Sequence, residues 1–128
     1  MYESQRTFKV WDYNVSHKQL LLRSPLTNGE INNIDIVFWG VEFISIPTIM
    51  DGLVLRKLTM VEVKDHPITR IRTSSLPLFG FGKSAPLDFV MAAGCKVLVN
   101  QLEIFDSSLI YADRDRVPEE YGTVLVML

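Results

Sequence analysis

Between Asn33 and Met50 apolar residues recur at every second position, and the pattern changes phase once. Ile34, Ile36 and Phe38 fall on one side of an extended chain, the period of a strand with one buried face. Ile44 and Ile46 repeat the rhythm, but Glu42 now falls in step with them. Gly40 stands between the two stretches, where a bulge can exchange the buried and exposed sides. Asp51-Gly52 follows, a pair suited to the left-handed geometry of a tight hairpin turn. The spacing predicts antiparallel strands joined at Asp51-Gly52. It also predicts a helical turn around residues 58–64, where the alternation is lost.

The same rhythm marks strands at residues 8–13 and 20–23, around a polar loop at 14–18. Asn28-Gly29 signals a turn. His66-Pro67 breaks the chain, after which Thr69, Ile71 and Thr73 alternate with Arg70 and Arg72, as in an edge strand guarded by charge. Residues 74–86 hold Pro77, Gly80, Gly82 and Pro86 without a clean period and read as a long loop. Residues 87–93 and 96–105 suggest a further strand pair bending near Gly94, and 123–128 a closing strand. Asp113 to Arg116 alternate in charge as a solvated turn, and Pro118 with Glu119 and Glu120 suits the first turn of a short helix. The expected fold is all-β and mostly antiparallel, about eight strands in a single domain over 1–128, built as a sandwich or a barrel.

Composition adds limits. With 128 residues, about half of them apolar, the chain can fill a core and still have apolar surface for a subunit contact. A net charge of −2 gives no basic footprint, so nucleic acid is not an expected partner. No stretch approaches the roughly 20 apolar residues of a membrane helix, and no apolar leader opens the sequence, so no membrane association and a cytoplasmic setting are expected. Cys95 is the one cysteine; its neighbours Ala92, Ala93 and Gly94 are those of an inert buried thiol.

The search for chemistry is mostly exclusion. Gly80, Gly82, Lys83 and Ser84 match a phosphate loop only in part. Pro77 stands where that loop needs its first glycine, and Pro86 stands where its helix should begin. Ser16 is adjacent to His17 and points away from it, and no nucleophile elbow occurs. Asp12 can meet His17 across the first hairpin, the usual sign of a local hydrogen bond. Two separated histidines, His17 and His66, give too few metal ligands. Asp113 and Asp115 lack the glycine and terminal glutamate of a calcium loop. No catalytic residue, metal or cofactor is therefore expected.

What remains is binding. Leu78, Phe79 and Phe81, with Leu76, set large apolar groups in a segment rich in chain-breakers, either to cap the core or to form an apolar lip for a partner. Trp11 and Tyr13 share a strand face, as core or as a flat binding surface. Glu42, if buried, needs a partner such as Arg23 or Arg56. The expected function is a non-catalytic protein-interaction module, immunity- or inhibitor-like in kind, pairing as a homodimer across a free sheet edge. One alternative is an apolar-ligand carrier with a hollow barrel. Another is a small hydrolase using Asp12, His17 and a serine. A filled core with an exposed patch favours the first of these, and a hollow lined by Phe and Leu favours the second.

Overall fold

The computed structural model describes residues 1–26, 29–70, 75–83, 88–109 and 121–128. The chain is all-β, with nine antiparallel strands in one sheet. They are β1 (Tyr2–Asn14), β2 (Gln19–Ser24), β3 (Asn33–Trp39), β4 (Phe43–Ser45), β5 (Ile49–Lys57), β6 (Leu78–Phe81), β7 (Phe89–Met91), β8 (Gly94–Asn100) and β9 (Thr123–Met127). One helix, α1 (Met60–Asp65), and one 3-10 turn, Pro67–Arg70, follow β5. The sheet order is β4-β7-β6-β5-β1-β2-β3-β8-β9.

That order closes on itself. The β3–β8 ladder ends at Trp39 opposite Gly94, and the β4–β7 ladder resumes one step on, with Phe43 opposite Met91. Ala93 N–H bridges the gap to Trp39 O at 2.9 Å, and Glu42 N–H to Met91 O at 2.8 Å. The two ladders are one antiparallel pair, 33–45 against 89–100, bent at a corner where Gly40 adopts φ +61°. Strands β2, β1, β5 and β6 span from one member of this pair to the other, which completes a small barrel. Closure pairs most of the edges an open sheet would leave; among the described strands β4 pairs on one side only, with β7, and β9 hangs outside the ring on β8.

The barrel is filled. Phe8, Leu20, Leu22, Ile36, Phe38, Leu55, Phe79, Val90 and Val97 meet inside it. Phe38 from β3 and Phe79 from β6 touch edge to face across the interior, with ring centroids 5.8 Å apart. Each such aromatic or aliphatic side chain contributes roughly 1.5–3 kcal/mol by leaving water. Beneath α1 a smaller cluster of Leu58, Ile68, Leu78, Phe89 and Met91 closes one end. The phenyl ring of Phe89 carries Phe43 on one side, stacked at 5.6 Å, and His66 on its other contact at 4.6 Å.

Several sequence expectations change in the structure. Asp51-Gly52 makes no hairpin; β5 runs straight through it because residues on both sides pair with β1. Gly52, at φ +79°, instead faces a slip in register where β1 carries Gln5 and Arg6 between Ser4 and Thr7. The displaced Arg6 then reaches the carbonyls of Ser24, Pro25 and Asn32 at 2.9–3.2 Å, and so holds the start of the β2–β3 connection. The supposed loop at 74–86 contains a strand, β6, whose Leu78 and Phe79 are buried. Strands β7 and β8 do not pair with each other, since each continues the other around the bent corner. Thr69 and Arg70 lie in the 3-10 turn rather than in an edge strand, and residues 71–74 lie outside the described residues. So do Asn28 of the first turn signal and the segment containing Asp113, Asp115 and Pro118.

Candidate functional site

The central strands are buried on both faces. Inward-facing Leu20, Leu22, Ile36 and Phe38 belong to the barrel interior. Their outward neighbours Leu21 and Val37 form a second cluster with Leu98, Leu109 and the half-buried Trp11. Charge is admitted to this outer layer only where it is matched. Arg23 and Asp35 occupy the same rung of β2 and β3, and neither side chain has any exposed surface. Arg23 donates from Nε to Asp35 Oδ1 at 2.7 Å and from Nη2 to Oδ2 at 2.9 Å, a bidentate fork. Its remaining arm reaches Asp106 O at 2.6 Å, and the guanidinium lies 5.5 Å from the centre of the Trp11 ring.

The network extends along β3 and β8. Asn100 donates to Asp35 Oδ2 at 2.8 Å and to Tyr121 O at 3.1 Å. Asn33 donates to Asn100 Oδ1 at 2.8 Å and to Leu102 O at 2.9 Å, while its own Oδ1 accepts from Leu26 N–H at 2.8 Å. Four polar side chains thus satisfy one another and hold the segment that follows β8 against the sheet. The alternating pattern shows little of this, because a strand with two buried faces has no polar face; only the lone charges Arg23 and Asp35 interrupt it.

Beside the held segment lies a cleft of about 220 Å³, lined by Gln19, Val37, Trp39, Lys96, Ser108, Leu109 and Met127. Val37 stands opposite Lys96, which stands opposite Met127, so one row of the ladder forms its floor. Trp39 stands opposite Gly94, where a Cβ would lie 2.1 Å from the indole; only glycine lets that ring lie against the strand. The Ser108 hydroxyl and the Gln19 side-chain oxygen are buried here without a hydrogen-bond partner among the described residues. A second hollow on the same face, lined by Trp11, Asp12, Ile104, Phe105 and Ser107, is wider and more open.

A third feature is the end of the sheet. Strand β9 is five residues, Thr-Val-Leu-Val-Met, with no charge or proline to discourage contact. The β8–β9 register slips between Val97 and Leu98, leaving Leu125 without a partner on β8. Val124 is 47% exposed, Leu125 51% and Met127 63%.

The residues expected from sequence to bind fare differently. Leu78 and Phe79 are spent on the core and offer no apolar lip; Phe81 is partly buried beside Phe38, with ring centroids 6.1 Å apart. Trp11 and Tyr13 do not share a face: a bulge in β1 turns Trp11 to Arg23 and the outer cluster, while Tyr13 stands opposite Leu20 and is 41% exposed. Glu42 is exposed and bonds Lys18 Nζ at 2.9 Å, rather than Arg23 or Arg56. His17 sits exposed in the β1–β2 turn, whereas His66 is buried at the C-terminus of α1. Cys95 is sealed in the interior, and burial pushes its thiol pKa well above the ordinary value, as its small neighbours foretold. Among the described residues no helix is long and apolar enough to cross a membrane. No family model matches the chain, and neither the curated proteins nor the solved structures contain a detectable relative.

Proposed function

We propose that the protein is a non-catalytic protein-binding module whose docking element is β9, and that a second copy of the chain is the partner it takes. The exposed, uncharged β9 side chains Val124, Leu125 and Met127 at the free end of the sheet carry this reading. A twofold contact places the same apolar strand on both sides, so neither copy buries an unmatched charge. The filled barrel supports binding at a surface over transport in an interior. Arg23, Asp35, Asn33 and Asn100 of the outer layer are committed to one another, and the single thiol is sealed away.

Sedimentation velocity over a range of protein concentrations tests this. The native chain is expected to dimerise reversibly, and Leu125→Lys to sediment as a folded monomer. A native chain that stays monomeric at high concentration, or a Leu125→Lys variant that dimerises equally well, would refute the reading.

A further inference from the structure

The cleft beside β9 has properties that self-association does not use. Its Ser108 is about 95% buried, and among the described residues neither its hydroxyl nor the buried side-chain oxygen of the half-buried Gln19 has a partner. Leaving buried polar atoms of this kind unpaired is costly, so they mark a place where a ligand group completes the site. Lys96 brings a cation to the same cleft, and among the described residues no carboxylate pairs with it. Trp39, Val37, Leu109 and Met127 supply flat and adaptable apolar walls.

We infer that this cleft binds a single-ring aromatic carboxylate carrying a hydroxyl or amine substituent. One ammonium without a neighbouring arginine matches one negative charge, which suits a carboxylate better than a phosphate. The Gln19 oxygen accepts only, so the ligand must bring an N–H or O–H donor; the Ser108 hydroxyl can serve either end. Size sets the rest. An apolar cavity of about 150 Å³ takes benzene, so the cleft's 220 Å³ admits one ring with its substituents. It is smaller than the roughly 300 Å³ at which pockets for larger organic ligands begin.

The test is a titration of the isotope-labelled full chain with 4-hydroxybenzoate, followed by amide and side-chain NMR shifts. Saturable shifts are expected at Gln19, Trp39, Lys96 and Ser108. The uncharged counterpart, 4-hydroxybenzyl alcohol, should bind the native protein at least about tenfold more weakly, the effect of one charge-assisted bond. Lys96→Met should show a similar loss with the rest of its spectrum unchanged, and Ser108→Ala a smaller one. The assignment is overturned if millimolar 4-hydroxybenzoate moves none of these signals. It is equally overturned if the alcohol binds as well as the acid, a comparison that needs no variant to fold.

Discussion

Two arginines in this molecule grip carboxylates in the same two-pronged way and do entirely different work. Arg23 holds Asp35 through bonds of 2.7 and 2.9 Å, with both side chains fully buried. Arg56 holds Glu62 through bonds of 2.8 and 2.5 Å, with side-chain exposures of 16% and 22%. The first pair joins neighbouring strands on one rung and, through Asp106 O, the segment lying over them. The second joins the end of β5 to the first turn of α1, six residues away. Both grips are bidentate, side-on at Arg23 and end-on at Arg56, but they differ most in their access to solvent. In the buried pair each charge is tolerable only because the other is present, so its worth lies in specifying which groups meet. In the partly wetted pair, water can take over when either partner leaves.

The largest effect should come from breaking the buried pair on one side. Asp35→Ala leaves the Arg23 guanidinium without a counter-ion beneath Trp11 and frees one Asn100 donor. A loss of about 3–5 kcal/mol is expected in chemical denaturation, comparable to opening a cavity with Phe38→Ala in the barrel interior. Replacing both charges at once should be far gentler. Arg23→Met with Asp35→Leu removes the desolvation cost along with the attraction, and stability should stay within about 2 kcal/mol of native. The signature should instead be local, since Asp106 O loses its donor. Amides in residues 102–109 are expected to exchange faster while those of β2 and β3 remain protected. A double variant as unstable as Asp35→Ala alone would mean that the pair contributes net stability rather than specificity.

This comparison also shows what the amino-acid pattern can and cannot display. Strands β2, β3 and β9 and the corner at Gly40 are legible because period-two alternation and a lone glycine are local properties. The loss of alternation after β5 is local too, and it marked a helical turn where α1 stands. Strand β6 is hidden, because Leu78-Phe79-Gly80-Phe81 is short and flanked by breakers, and its register with β5 comes from elsewhere. Asp51-Gly52 misleads for the same reason: whether a glycine makes a turn or a bulge depends on which strand lies opposite. The cleft was almost illegible. Gln19, Lys96 and Ser108 are single polar residues that only the β2–β3–β8 ladder brings together. One trace existed: Lys96 interrupts the apolar run from Cys95 to Val99, as Arg23 and Asp35 interrupt theirs. A lone charge inside an apolar strand asks for a partner, and two of these three found one inside the protein.

The exposed pair invites smaller tests. Thr59 caps α1 by accepting the Glu62 amide proton at 3.2 Å, and Glu62 returns a bond to Thr59 N–H at 3.0 Å. Thr59→Ala should cost about 1 kcal/mol and raise exchange only in the helix and the 3-10 turn after it. Destabilisation reaching the β2–β3 rung would show that the two arginine pairs are coupled after all.

The smallest effect, and the sharpest contrast with Asp35, is a titration. The Arg56 guanidinium, first, and the Thr59 amide, second, hold the Glu62 carboxyl down at about 2, from 4.5. A carboxylate whose pKa is lower folded than unfolded lends stability above the unfolded value and loses it as pH falls towards the folded one. The contribution of Glu62 should therefore be complete above pH 4.5 and fade between there and about 2. Its carboxyl carbon signal should titrate with a midpoint near 2, while Glu62→Gln removes that transition and modestly lowers neutral-pH stability towards the native protein's low-pH value. A midpoint close to 4.5 would show that water, rather than Arg56, is the main partner of this carboxylate. The two arginine forks would then differ in occupancy as well as in burial.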